Sequence, residues 1–165
     1  MAYFARPRAQ VLIHGNVATR LFRFPMKPIV IDASVAAAWV LPDEQSGAAD
    51  DLYAQACTQD GVFTAPQLWV WETGNLLISG VLRKRIAADQ IETAQHMLAD
   101  ALIDFDQTPS THLLQQTSRL ALKHKLTFYD ASYLELVLRL NGQLASQDQA
   151  LVKAAKACGV VCLHF

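Results

Sequence analysis

Short apolar runs alternate with longer amphipathic segments in the chain between Lys27 and Phe165. Most of the runs are rich in β-branched or aromatic residues, and each has a Pro or Gly close to one end. This pattern predicts short strands that are buried on both faces, as in a parallel sheet. The predicted strands are Ile29–Ile31, Val62–Thr64, Phe105–Thr108, Leu144–Ala145 and Val160–Leu163.

The longer segments carry apolar residues at the spacing of three and four that is typical of amphipathic helices. They are Ser34–Leu41, Ser46–Gln59, Gln67–Arg85, Ala88–Ile103, Ser110–His124, Tyr129–Leu140 and Gln149–Ala157. Strands that alternate with helices predict an α/β fold with a mainly parallel sheet. Right-handed crossovers then place helices on both faces of the sheet.

Composition limits the class of protein. The chain has 165 residues, of which 52% are hydrophobic and 18% are charged, so it has enough apolar material for one packed domain and is not disordered throughout. Its 14 basic and 15 acidic residues give a net charge of -1. No overall field therefore attracts nucleic acid or an anionic membrane, and a polyanionic partner must be held by a local patch or by metal ions.

Cysteine and histidine usage favours a reduced, cytoplasmic protein without zinc. Cys57, Cys158 and Cys162 form no disulfide framework and no C-x-x-C pair. The five histidines show no metal-ligand spacing. Residues 61–82 carry a single charge, Glu72, but it falls in the middle of the segment, which favours a buried helix over a membrane span. We expect no membrane association and no secretory signal.

The first 25 residues differ from the rest of the chain. They contain four arginines and no acid, and the remainder carries ten basic against fifteen acidic residues. Three interpretations are a basic arm that contacts RNA, an organelle transit peptide, and a stretch upstream of a natural start at Met26. We favour the third, because a compact domain can be read from Lys27 onward. The predicted domain is residues 26–165, with residues 1–25 outside the core fold.

Two carboxylates follow predicted strands directly or closely. Asp32 comes immediately after Ile29–Ile31, and Asp148 follows Leu144–Ala145 by three residues. Open α/β sheets bind their ligands at the carboxyl ends of their strands, which makes both acids candidate site residues. The alternative is that each acid only caps the helix that follows it.

A third carboxylate, Glu72, lies inside the apolar segment Leu68–Leu77. Its helical neighbours four residues before and after are Leu68 and Leu76. An acid in the middle of an apolar stripe must be paired, protonated or bound to metal, unless it lies at the edge of the stripe and reaches water.

A fourth carboxylate, Asp130, opens the helix Tyr129–Leu140. Its neighbours at plus three and plus four are Tyr133 and Leu134, which turns it towards the core in the first turn. The alternative is an acid that suits the helix dipole or caps the helix. We expect Glu135, in the same helix, to be exposed.

Four acids from separate elements can meet at one edge of a parallel sheet. Such a cluster repels itself and raises the pKa of some of its members, and a divalent cation removes the repulsion. The four segments contain no thiol or imidazole, so hard cations such as Mg²⁺ and Mn²⁺ suit them best.

The arrangement resembles a PIN domain, and specifically the VapC-type ribonuclease toxins of bacterial toxin–antitoxin pairs. The resemblance covers Lys27 to Phe165 and rests on residues 29–35, Glu72 in its apolar helix, residues 126–134 and residues 144–151. The chain departs from the pattern in two ways. Residues before Met26 are not part of it, and an additional acid that some members have near the last motif is absent around Asp148.

The resemblance implies a PIN-like three-layer α/β/α fold with a short-stranded sheet and a Mg²⁺-dependent endoribonuclease, for which Mn²⁺ is a substitute. Carried over residue by residue, Asp32, Glu72, Asp130 and Asp148 form the catalytic and metal-binding site, and Ser34 or Ser146 supports it by hydrogen bonds. The family also implies a homodimer and a tight complex with a cognate antitoxin, whose Arg or Lys could plug the acidic site.

Two basic runs offer candidate phosphate contacts. The denser one is Arg83-Lys84-Arg85, and Lys123-His124-Lys125 is the second. We favour the alternative that they are solvated helix ends, since cations suit helix C-termini. Trp69 and Trp71 can stack bases, but core packing or a dimer contact is the favoured role.

Other function classes fit the chain less well. A PIN-like scaffold that binds RNA or protein without cleaving is the main alternative, and the presence of all four acids argues against it. A signalling receiver or a phosphatase needs a further acid beside Asp32, where Ala33 and Ser34 stand instead.

Overall fold

A five-stranded, wholly parallel sheet forms the centre of the molecule, which a computed structural model describes over residues 27–165. The order of strands across the sheet is β3-β2-β1-β4-β5. They are β1 (Ile29–Ile31), β2 (Phe63–Ala65), β3 (Ile103–Phe105), β4 (Gln143–Ala145) and β5 (Val161–Leu163). The predicted α/β class with a short-stranded parallel sheet is confirmed.

Within residues 27–165, seven α-helices lie on the two faces of the sheet. They are α1 (Ala33–Val40), α2 (Gly47–Thr58), α3 (Leu68–Leu82), α4 (Ile91–Asp100), α5 (Thr111–His124), α6 (Phe128–Arg139) and α7 (Gln149–Ala157), with a 3-10 turn at Ala88–Gln90 before α4. Helix α1 packs against α2, α3 and α4, whereas α6 packs against α5, α7 and β1. Two helical groups that enclose a sheet give the three layers that were predicted.

The edge strand β3 is where the prediction was wrong. We predicted a helix to Ile103 and a strand over Phe105–Thr108, but α4 ends at Asp100 and β3 occupies Ile103–Phe105. The central strands β1 and β2 are buried at every position, while Asp104 and Phe105 of β3 are exposed. An edge strand has one hydrogen-bonded neighbour and an open side, so its sequence lacks a buried apolar run.

The end of α3 also differs from prediction. The helix ends at Leu82 and not at Arg85, because Lys84 adopts a left-handed backbone with φ of 58°. The basic run therefore forms the turn after α3 and is not its last turn.

A close approach of two chain segments fixes the pairing of β1 with β4. A Cβ atom on Gly142 would lie 2.6 Å from the carbonyl oxygen of Pro28, so only glycine fits there. The backbone nitrogen of Gln143 donates to the same carbonyl at 2.8 Å. This contact sets a register in which Ile31 pairs with Ala145, and the two strands end side by side.

No helix within residues 27–165 is long and apolar enough to cross a membrane. The apolar segment 61–82 instead forms β2 and α3. The predictions for the basic residues 1–25 lie outside the described residues.

Candidate active site

The carboxyl ends of β1 and β4 form a crevice at the point where the strand order reverses. From β1 the chain proceeds to β2 and β3 on one side, and β4 and β5 lie on the other side. Ligands of open α/β sheets bind at such a switch point. Asp32 directly follows β1, and Ser146 directly follows β4.

Asp32 is the most buried of the four predicted acids, with 6% of its surface exposed. One carboxylate oxygen accepts from the backbone nitrogen of Ser34 at 2.9 Å and from its hydroxyl at 2.5 Å. The other accepts from the hydroxyl of Ser146 at 2.5 Å. The Trp69 indole donates to the carbonyl oxygen of Asp32 at 3.1 Å. Asp32 thus caps α1 and also lies at the carboxyl end of β1. The capping role and the strand-end position that the sequence offered as alternatives therefore both apply.

Burial raises the pKa of Asp32, and its hydrogen bonds to the two serines oppose the rise only in part. Within residues 27–165, no Lys or Arg forms an ion pair with this carboxylate. Asp32 is therefore a buried acid, and no basic side chain within residues 27–165 balances its negative charge.

Glu72 projects from α3 towards α6. The buried hydroxyl of Tyr133 donates a hydrogen bond to its carboxylate. Burial raises the pKa of Glu72, the charges of Asp130 and Asp32 raise it further, and the bond from Tyr133 opposes these effects. Asp32 and Asp130 thus both lie within electrostatic reach of Glu72.

Tyr133 is a site residue that the sequence did not single out as functional. Burial and the bond to Glu72 both raise its pKa, so the phenol keeps its proton and acts as a donor. The available signal was its position three residues after Asp130, which turns both side chains to the same side of α6.

Asp130 is half-buried in the first turn of α6. Thr127, the N-cap residue, accepts from the backbone nitrogen of Asp130 at 3.0 Å and donates its hydroxyl to the Asp130 carboxylate at 2.6 Å. The capping interaction therefore orients the acid at the mouth of the crevice.

Asp148 is exposed and caps α7, accepting from the backbone nitrogen of Leu151 at 2.7 Å. Its own backbone nitrogen donates to the hydroxyl of Ser146 at 3.0 Å. Ser146 thereby joins the Asp148 loop to Asp32. A second link is made by Ser34, whose hydroxyl accepts from the backbone nitrogen of Gln147 at 2.7 Å.

The donors at this edge suit a hard divalent cation. They are carboxylate and hydroxyl oxygens, and within residues 27–165 none of the four acids takes part in an ion pair. Over the same residues, no three Asp, Glu, His or Cys side chains are gathered closely enough to hold an ion between them. Mg²⁺ usually keeps several waters and needs only one or two carboxylates, so an open arrangement is compatible with it.

The basic run after α3 is partly neutralised. Arg85 pairs with Asp43 at 2.9 Å and also with Glu44. Arg83 lies at one end of a groove of about 360 Å³ along α3, and Glu72 lies at the other end.

Glu135 was predicted to be exposed, and that prediction is wrong. It is buried, because α6 packs on α5, α7 and β1 and has little free surface. Its carboxylate accepts from Arg139 at 2.9 Å, and Arg139 also pairs with Asp106 at 2.5 Å.

Comparison with known proteins places the chain in a family. A model of the PIN domain matches residues 29–157. Ribonuclease VapC3 of Pyrobaculum aerophilum is 31% identical over 129 residues, which cover 76% of this chain and 92% of that protein. Ribonuclease VapC1 of Mycobacterium tuberculosis is 31% identical over 125 residues, which cover 75% and 92%.

Solved structures share the fold at lower identity. The crystal structure of PAE2754 from Pyrobaculum aerophilum has a TM-score of 0.62 at 21% identity and covers 82% of this chain and 89% of that chain. That of FitAcB from Neisseria gonorrhoeae has a TM-score of 0.53 at 16% identity, covering 82% and 96%. The match of the family model over most of the chain shows that the chain belongs to the PIN domain family. Within that family it is a VapC-type ribonuclease.

Proposed function

We propose that this protein is a Mg²⁺-dependent endoribonuclease that acts as the toxin of a toxin–antitoxin pair. The observation that carries the proposal is the group of Asp32, Glu72 and Asp130 at the switch point of the sheet. Burial and the charges of Asp130 and Asp32 raise the pKa of Glu72. None of the three acids has an ion-pair partner within residues 27–165. The relatives named as VapC ribonucleases support RNA as the substrate.

Asp32, Glu72, Asp130 and Asp148 are the proposed catalytic and metal-binding residues. Ser34 and Ser146 are the proposed supports, because both donate to Asp32. The Asp32 oxygen that accepts from Ser146 retains lone-pair capacity beyond that bond, whereas the other oxygen accepts twice from Ser34. Mn²⁺, which prefers similar oxygen ligands, is expected to substitute for Mg²⁺.

The division of labour among the acids follows from their surroundings. A divalent cation bound here would lower the pKa of a coordinated water and offset charge on the phosphate. Hydrogen bonds from Ser34 and Ser146 fix the Asp32 carboxylate, so Asp32 provides a rigid ligand position for the cation. Glu72 has one oxygen held by Tyr133, and its raised pKa suits the other oxygen to accept a proton from the attacking water. Asp130 and Asp148 are the more open acids, so we assign them the first contact with the RNA.

The proposed phosphate contact is the run Arg83-Lys84-Arg85 at the far end of the α3 groove. Arg83 is its principal member, because it lines the groove with Glu72 and has no ion pair within residues 27–165. Arg85 also lines the groove, but Asp43 and Glu44 hold it.

The proposed protein partners are a cognate antitoxin and a second copy of the chain. Helix α3 exposes Trp71, Ile78 and Leu82 along one side, and Trp71 is 78% exposed. An exposed apolar stripe of this kind supports a protein contact. A cytoplasmic location stays a prediction.

Cleavage of a labelled RNA pool tests the proposed function. The full chain is incubated with Mg²⁺, with Mn²⁺ and with EDTA, beside Asp32→Asn and the matched control Asp51→Asn, an exposed acid on α2. We expect discrete, metal-dependent products from the wild type and the control, and none from Asp32→Asn. Metal-independent or equal cleavage by all three proteins would contradict the site. RNA binding without any cleavage would support the silent scaffold instead.

A further inference from the structure

A cavity of about 200 Å³ lies beside the acidic site and has no role in the function proposed so far. Its walls come from the segments after β2 and β3, from the start of α3, from α5 and from the first turns of α6. The lining residues are Pro66, Gln67, Leu68, Asp106, Gln107, Pro109, Leu114, Thr117, Phe128, Tyr129, Ser132, Glu135 and Leu136.

The cavity and two of the four carboxylates, Glu72 and Asp130, lie on the same two helices, α3 and α6. On α6, Phe128, Tyr129 and Ser132 line the cavity, while Asp130 lies with the acids. On α3, Leu68 lines the cavity, and Glu72 is one turn further along. A nucleotide whose phosphate lies at the acids therefore has its base within reach of the cavity.

We propose that this cavity holds one unpaired nucleobase of the RNA next to the phosphate that is cleaved. The inference rests on the proposed ribonuclease function and adds a specificity pocket to it. An apolar cavity of about 150 Å³ can hold benzene, so this volume suits a single planar ring system. Phe128 is 41% exposed and Tyr129 is 60% exposed, which leaves aromatic surface for stacking with a base.

Polar groups at the rim can read the edge of a base. Gln67 holds the N-cap position of α3 but makes no capping bond with its side chain. Within residues 27–165, the side chains of Gln67, Gln107 and Tyr129 make no hydrogen bond. An amide offers both donors and an acceptor, which matches the mixed pattern on the edge of a base.

Charge at the cavity favours a neutral ring over a phosphate. Among the lining residues, all of which belong to the described part of the chain, there is no Lys or Arg. The two acids in the lining, Asp106 and Glu135, already accept hydrogen bonds from Arg139. The negative charge of these acids would repel an anionic group such as a phosphate, whereas an uncharged base is not repelled.

Binding of short RNAs in EDTA tests the pocket without relying on cleavage. Fluorescent tetranucleotides A4, C4, G4 and U4 are titrated against the full chain, Gln67→Ala, Tyr129→Ala and the control Gln59→Ala. Gln59 is the C-cap residue of α2 and lines a groove with Ile29 and Gln143, at the amino ends of β1 and β4 and away from the acids. We expect the wild type and the control to prefer one base by roughly 5- to 150-fold.

The two pocket variants have different expected results. Gln67→Ala should lose the preference among bases, and Tyr129→Ala should bind all four oligonucleotides roughly 5- to 150-fold more weakly. Sequencing of the ends of cleavage products should show a preferred base beside the cut for the wild type and none for Gln67→Ala.

The outcomes separate the pocket from the nuclease. If Gln67→Ala retained the base preference, or if Tyr129→Ala bound the oligonucleotides as tightly as the wild type, the proposal of a base-binding pocket would be wrong. The cavity would then be assigned to a side chain of a protein partner. A preference that disappears in Gln67→Ala, in a protein that cleaves no RNA, would support the pocket and overturn the proposed function.

Discussion

Helix α6 contributes one acid to each of two groups of carboxylates, Glu135 to the first and Asp130 to the second. The two groups differ in what balances their negative charge. Glu135 and Asp106 share the guanidinium of Arg139. Asp32, Glu72 and Asp130 have hydroxyl donors but no ion pair within residues 27–165, and the pKa of both Asp32 and Glu72 is raised.

The difference separates structural acids from candidate functional ones. A buried acid that is paired with a guanidinium stabilises the fold locally, and its position needs no ligand to explain it. Acids that repel one another in a crevice lower the stability of the empty protein. Such groups are retained where a cation or a substrate compensates them, which is how perturbed pKa values mark functional sites.

The sharpest test of this comparison removes one charge from each group. Glu72→Gln keeps an acceptor for Tyr133 but removes the proposed proton acceptor, so RNA cleavage should fall by about 10²- to 10⁴-fold. Its free energy of unfolding at neutral pH should rise, because a repelled charge is gone. Urea unfolding and cleavage rates measure the two effects.

The matched variant Glu135→Gln should behave in the opposite way in stability. Arg139 loses charge-assisted hydrogen bonds, and the free energy of unfolding should fall by about 1.5–3 kcal/mol. If both variants lost stability equally, the acids near Asp32 would be structural as well.

A second prediction concerns pH, with EDTA present. The unfolded-state pKa of Asp and Glu is about 4, and the folded-state pKa of Asp32 and Glu72 is higher. The stability that their protonated forms contribute is complete below the unfolded-state pKa and is lost as pH rises through the folded-state pKa. We expect the free energy of unfolding to fall over that window by about 1.4 kcal/mol for each unit of difference.

Mg²⁺ should reverse this loss at neutral pH. A ligand at 100 times its Kd adds about 2.7 kcal/mol to the free energy of unfolding. Thermal melts with and without Mg²⁺ measure the effect, which should be retained in Glu135→Gln and lost in Asp32→Asn. An equal Mg²⁺ effect in Asp32→Asn would place the cation elsewhere.

The smallest expected effect comes from the phenol that supports Glu72. Tyr133→Phe removes one hydrogen bond and should weaken Mg²⁺ binding by about 10- to 100-fold, as loss of a group that orients a ligand usually does. Tyr53→Phe is the matched control, because its hydroxyl donates to the carbonyl of Met97 at 2.9 Å, away from the acids. Calorimetric titration should show unchanged Mg²⁺ affinity for the control. The same loss in both variants would mean that Tyr133 acts only through stability.

The parts predicted correctly are those whose signals are local. Asp32 follows a continuous apolar run, and Pro28 and Gly142 mark the starts of the central strands β1 and β4. The burial of these two strands could therefore be predicted from the local sequence. Glu72 was conspicuous because its neighbours along the chain are apolar. Strand β3 was misplaced because its exposed residues carry no such pattern.

Sequence alone was enough to predict the parallel α/β fold, the strand-end positions of Asp32 and Asp148, and the unusual setting of Glu72. These follow from hydrophobic periodicity and helix capping, which act over a few residues. Three contacts became known only from the folded chain: Ser34 and Ser146 both donate to Asp32, Tyr133 donates to Glu72, and Glu135 is buried against Arg139. Those contacts depend on how strands and helices distant in the chain pack together, and no spacing within one segment encodes that packing.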